Sequence, residues 1–183
     1  CSSDLNHWGT AELVYALEES KVSKFIYISS ASIYGNTEIP ATEDAAPSPD
    51  SFYSISKHRA ELHVERLFTK MNTLILRLGN VYGYSKSMRF DAVINRFMFD
   101  AHFTGRITIN GTGKQHRSFI HITKVTKALI DILQTPIPSG TYNMSDKILN
   151  ILDITEVMKE LYGDLESFFI NQNYAVHDLR VER

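Results

Sequence analysis

The sequence predicts an α/β fold in which helices cover a sheet of parallel strands. A helical stretch precedes the short β-branched and aromatic run Lys24–Ser29 (KFIYIS), and a second helical stretch precedes the run Thr73–Leu78 (TLILRL). Runs of this length and composition read as strands buried on both faces. Strands of that kind, separated by helices, lie parallel with the helices packed on the sheet.

The elements follow in order. Residues 4–20 (DLNHWGTAELVYALEES) set Leu5, Trp8, Leu13 and Leu17 at helical spacing, with Asp4 as a candidate N-cap. Residues 30–51 hold Gly35, Pro40, Pro47 and Pro49 among acids and small residues, a long loop of the kind that serves a site. From Ser51 to about Met71 a second helix places Ile55, Leu62, Leu67 and Phe68 on one side. After Gly83 the periodicity loosens into a smaller, mixed α/β lobe. Its expected elements are a helix over about 90–101, a strand at Ile107–Asn110, a Gly-rich turn (GTGK), a helix over about 122–134, a strand near Tyr142 and a helix over about 151–162.

Composition narrows the function classes. The 183 residues are 43 % apolar and 22 % charged, enough for one ordinary globular domain or slightly more. A formal net charge of −2, from 19 Lys+Arg and 21 Asp+Glu, supplies no basic field for nucleic acid or an anionic membrane. Anion recognition must therefore be local. No apolar run approaches the roughly 20 residues of a membrane span. The single cysteine, Cys1, excludes an intrachain disulfide and fits a reducing compartment, so the expected location is the cytoplasm. The histidines show no metal-ligand spacing, and no metal is expected.

Tyr53 and Lys57 are four apart in a predicted helix, so both lie on one face. A tyrosine pKa near 10 is too high for a base at neutral pH, and a neighbouring ammonium stabilises the phenolate. Ser30 follows the first strand, at the carboxyl end where open parallel sheets place ligands. A Tyr and a Lys at this spacing also occur by chance on many helices. The strand, the long loop and the helix give this pair its context.

The stretches NHWGT, KFIYISSASIYG, YSISK, LRLGNVYG and GTGKQHRSFIHI resemble, in order, those of the extended short-chain dehydrogenase/reductases, the NAD-dependent epimerase/dehydratase family. The resemblance spans nearly the whole chain. It implies the C-terminal part of a Rossmann-type parallel sheet over residues 1–83, with the catalytic residues, and mainly a substrate-binding lobe over 84–183. It also implies a catalytic set of Ser30, Tyr53 and Lys57, with Lys57 also on the nicotinamide ribose. Asn6 and Gly79 correspond to dinucleotide contacts in UDP-galactose 4-epimerase-like members, and Asn80 to a sugar-nucleotide contact. Arg117 corresponds to the arginine on the substrate diphosphate, a role that suits a planar guanidinium; a surface charge beside a Gly-rich hairpin is the alternative. Arg89 is a second basic candidate for a phosphate or sugar, or else a solvated helix-end charge.

The implied cofactor is NAD, with NADP open, and the implied partners are a nucleotide sugar and a second copy docked through the helices at 4–20 and 51–71. Family members open with a glycine-rich turn that binds the pyrophosphate, and these residues hold no such turn. The chain is therefore expected to be a fragment of a longer protein that binds dinucleotide poorly by itself. Ala31 and Ser32 stand where sugar-nucleotide 4,6-dehydratases carry an Asp-Glu pair. Ser118, Lys124 and Tyr84 depart from common family residues on the substrate side. The expected function is nucleotide-sugar epimerisation, with a reductase or dehydrogenase of the same family, or a non-catalytic binding or scaffold protein, as the alternatives.

Overall fold

The computed structural model describes residues 4–171 and 178–182; Cys1 lies outside the described residues. In chain order the elements are a π-helical turn (Leu5–Gly9), α1 (Thr10–Glu18), β1 (Lys24–Ser30), a 3-10 turn (Ala31–Tyr34), α2 (Phe52–Val64), a second 3-10 turn (Glu65–Thr69), β2 (Asn72–Leu78), β3 (Asn80–Tyr82), α3 (Val93–Thr104), β4 (Arg106–Asn110), β5 (His116–His121), α4 (Ile122–Gln134), β6 (Gly140–Met144), β7 (Lys147–Asn150), α5 (Ile151–Leu161) and β8 (Glu166–Ile170).

The α/β expectation is met. β1, β2 and β6 form a parallel sheet in that order, with Lys24 opposite Asn72 and Leu74 opposite Gly140. β2 shows why it reads as an apolar run: alternate residues serve two helix layers. Ile75 packs with Val14, Leu17, Ala60, Val64 and Leu67 on the α1–α2 side, whereas Leu74 and Leu76 pack with Ile132 of α4 on the other. Residues 122–144 thus return to the first sheet, and the expected division after residue 83 becomes an interleaved one. The reason is topological: a parallel partner for β2 needs a crossover, and α4 supplies it.

The second lobe holds β3, β5 and β7, with β3–β5 parallel and β5–β7 antiparallel, and a parallel β4–β8 pair. Its core is Phe97, Ala101, Ile107, Ile109, Phe119, Ile151, Ile154, Met158 and Leu165. Among the described residues no helix is long and apolar enough to cross a membrane.

Three local expectations change. Asp4 has helical backbone angles rather than a capping conformation. The buried face of α1 is Ala11, Val14 and Leu17, leaving Leu5, Trp8, Leu13 and Tyr15 exposed. α2 is shorter than the predicted helix and buries Ser54, Ser56, Ala60, Glu61 and Val64, with Leu62 turned outward. Small side chains let α2 approach the sheet closely, and the 3-10 turn after it returns Leu67 to the core.

The loop over 30–51 is pinned rather than free. Ala41 exchanges backbone hydrogen bonds of 2.9 Å with Arg180 and Glu182, and Val181 packs with Ala31, Ile33, Tyr34 and Ala41. Gly35 has φ 68°, and a Cβ there would fall 2.2 Å from the Ser48 carbonyl oxygen, so the turn requires glycine.

Candidate active site

A cavity of about 590 Å³ opens at the carboxyl ends of β1 and β2, the position where open parallel sheets bind ligands. Ser30, Tyr53, Lys57, Gly79, Asn80, Arg89 and Arg117 all line it. Asn6 does not; its side-chain amide reaches the Ser56 hydroxyl at 3.4 Å beside α2.

Ser30 ends β1 and caps the 3-10 turn behind it: its hydroxyl accepts from the Ser32 backbone N–H at 3.2 Å and lies 2.9 Å from the Ser32 hydroxyl. Tyr53 sits in the first turn of α2, started by a reciprocal Ser51–Ser54 capping box, and is 48 % exposed. One helical turn on, Lys57 donates to the Ile28 carbonyl at 2.8 Å and stands 4.9 Å over the Tyr27 ring. Burial draws the Lys57 ammonium below the ordinary lysine range, and the Glu61 charge partly opposes this. Tyr27, chiefly through burial, is pushed up to about 12 and so stays a neutral phenol. Of the two tyrosines near Lys57, Tyr53 is the one that faces the cavity.

The opposite wall carries the arginines. Arg117 projects from β5, and among the described residues its guanidinium has no hydrogen bond or ion pair. Burial draws its pKa down, with Asp178 partly opposing. Arg89 sits at the rim, paired with the Asp91 carboxylate at 2.5 and 3.1 Å, and both side chains are largely exposed. Asn80 donates to the Ser118 carbonyl at 3.1 Å, and at Gly79 a Cβ would fall 2.8 Å from that same oxygen. Gly79 thus permits the close approach of the β2–β3 junction to β5.

Sequence reasoning missed two features. Ser29 lines the cavity, with its hydroxyl buried and without a hydrogen-bond partner among the described residues; nothing in the local sequence separates it from Ser30. Below the cavity, Arg77 of β2 and Glu61 of α2 form a buried ion pair of 2.7 Å. An arginine inside an otherwise apolar strand was the available signal, because a buried charge must be paired.

At positions 31 and 32 the structure has a buried alanine and a serine bonded to Ser30, so no carboxylate reaches the cavity from this turn. Lys124, another departure, forms an ion pair of 2.6 Å with Asp146. The arrangement can move a proton at a hydroxyl beside Tyr53 and Ser30 and can bind an anion at Arg117.

A model of the NAD dependent epimerase/dehydratase family matches residues 3–145. The dTDP-D-glucose 4,6-dehydratase of Bos taurus is 30 % identical over 175 residues, covering 93 % of this chain and 49 % of the relative. The ADP-L-glycero-D-manno-heptose-6-epimerase of Brachyspira hyodysenteriae is 30 % identical over 166 residues, covering 86 % of this chain and 52 % of the relative. The chain thus spans about half the length of these relatives. Among solved structures, the UDP-glucuronic acid 4-epimerase of Bacillus cereus, in complex with UDP-glucuronic acid and NAD, superposes with a TM-score of 0.81 at 26 % identity, over 97 % of this chain and 56 % of that one. With the family model matching residues 3–145, this chain belongs to the NAD dependent epimerase/dehydratase family.

Proposed function

We propose that the chain carries the proton-transfer and diphosphate-binding residues of a nucleotide-sugar epimerase. One observation carries the reading: a single cavity joins a hydroxyl–ammonium pair, Tyr53 and Lys57, to Arg117, a desolvated guanidinium with no protein partner among the described residues. Desolvating an arginine without pairing it is costly, and a bidentate phosphate offsets that cost.

The residues present fit the reacting end of NAD. Lys57 donates to the Ile28 carbonyl at 2.8 Å and to the Tyr27 hydroxyl at 3.5 Å, and keeps one N–H for a ligand at the cavity wall. Lys57 would hold the nicotinamide ribose; NAD, when bound, supplies reversible hydride acceptance. The chain's own residues do the rest. Tyr53 removes the proton of the sugar hydroxyl and returns it, Lys57 stabilises the phenolate, Ser30 orients the reacting oxygen, and Asn80 contacts the sugar. Arg117 grips the diphosphate, with Arg89 closing the rim.

Ala31 and Ser32 favour epimerisation over the dehydratase chemistry of several relatives, because that turn offers no acid to expel water. The exposed Leu5, Trp8, Leu13, Phe52 and Leu62 support docking of a second copy through the first two helical segments.

The test is interconversion of a UDP-sugar with NAD, products separated by chromatography. In the full-length protein that contains this chain, Tyr53→Phe should lower turnover about 10²–10⁴-fold without shifting the unfolding midpoint; unchanged turnover refutes the role. Net NADH or NADPH turnover would instead indicate a reductase.

A further inference from the structure

Tyr53, Lys57 and Glu61 recur at intervals of four along α2, so they share one helix face. Lys57 and Glu61 have the spacing at which helical ion pairs form. The structure shows another outcome: Lys57 turns to the Ile28 carbonyl, and Glu61 is taken from below by Arg77. Arg77 Nε lies 3.2 Å from both Glu61 carboxylate oxygens, and its Nη2 is 2.7 Å from Oε2. Its remaining nitrogen, Nη1, donates to the Tyr34 hydroxyl at 2.8 Å and to the Glu43 carbonyl at 3.3 Å. The Tyr34 hydroxyl in turn donates to Asn143 Oδ1 of β6 at 2.8 Å.

The network therefore joins three of the segments that face the cavity. Tyr34 ends the turn that Ser30 caps, Glu61 belongs to the helix of Tyr53 and Lys57, and Arg77 is two residues before Gly79. Glu61 is fully buried, and without Arg77 its carboxylate would have the Lys57 ammonium, four residues back on its own helix, as a cation at facing distance.

We propose that Arg77 is a positioning residue: by holding Glu61 and the Tyr34 turn, it leaves the Lys57 ammonium directed to β1 and the cavity instead of captured by Glu61. Arg77 touches neither substrate nor cofactor and acts through Lys57 and Ser30. The proposal rests on the reading of Tyr53 and Lys57 as the proton-transfer pair. Besides Glu61, the titratable groups placed by Lys57 include Tyr27, 3.5 Å from its ammonium, Tyr53, which lines the same cavity, and His58, the next residue of α2.

The test follows the titration of Lys57 by NMR of 15N-lysine-labelled protein, with unfolding curves confirming that each variant is folded. Arg77→Met should raise the Lys57 pKa by about one unit or more, as expected for a released carboxylate nearby. Glu61→Gln, which keeps shape and hydrogen bonding, should lower it, and the double variant should follow Glu61→Gln. If Arg77→Met does not fold, Arg77→Gln, which retains side-chain donors, takes its place with the same expectation. A Lys57 titration that stays put in Glu61→Gln, or in a folded Arg77 variant, overturns the proposal, since a merely structural pair would change stability alone. Calorimetric titration with UDP keeps the two readings apart. Loss of UDP binding only in an Arg117 variant, with Lys57 unmoved in the Arg77 and Glu61 variants, would uphold the nucleotide-sugar site and reject the positioning role.

Discussion

Arg77, buried below the cavity, and Arg117, on its wall, are treated in opposite ways. Arg77, on the first sheet, spends its donors on Glu61, Tyr34 and the Glu43 carbonyl. Arg117, on the second, is partly desolvated, bonds to no side chain among the described residues and lines the cavity. The difference separates scaffold from site: a charge satisfied by the protein fixes segments relative to each other, and one left unsatisfied by the protein is available to a ligand.

The contrast breaks most readily at the buried pair. Arg77→Met should cost about 3–5 kcal/mol of stability in urea unfolding, because Glu61 is left buried without its partner. A cost near zero would mean that Glu61 finds another cation. Arg117→Met should leave the unfolding midpoint in place and weaken UDP binding about 10–100-fold, the range of charge-assisted hydrogen bonds; a large stability loss with unchanged binding would reverse the assignment.

A smaller effect is expected from Lys57. Its folded-state pKa is lowered, so the unfolded chain binds more protons between the folded value and the ordinary lysine value near 10.4. Its contribution is therefore favourable above that range and is lost as pH falls through the folded pKa. Unfolding curves should show the protein gaining stability relative to Lys57→Met as pH rises towards 10, and a gap constant with pH would contradict the shift. The smallest effect belongs to the exposed Arg106–Glu166 pair of 2.9 Å, where Arg106→Gln should cost less than about 1 kcal/mol.

The same division governs what could be read in advance. KFIYIS and TLILRL were legible because burial on both faces leaves an uninterrupted apolar run. β5, β7 and β8 were not: HRSFIH and KILN mix polar and apolar residues and gain their partners only from distant segments. The outward turn of Leu62 was equally hidden, since helical periodicity marks an apolar stripe without saying which side meets the sheet.

At the site, the motif residues Ser30, Tyr53, Lys57, Gly79, Asn80, Arg89 and Arg117 came from the sequence, and the structure brings them to one cavity. Asn6, named with them, lies beside Ser56 instead. Glu61 and Tyr34 were not named, because their significance depends on partners far away in the chain: Glu61 and Arg77 are separated by 16 residues, Tyr34 and Asn143 by 109.

By itself, then, the sequence determined the parallel α/β class, the family and the chemical types at the site, since periodicity and short motifs are local properties of the chain. Tertiary structure alone decided that Arg77 is satisfied and Arg117 is not, that residues 122–144 return to the first sheet, and that Lys57 turns away from Glu61. Each of these depends on which groups compete for one partner in space, and spacing along the chain does not encode that competition.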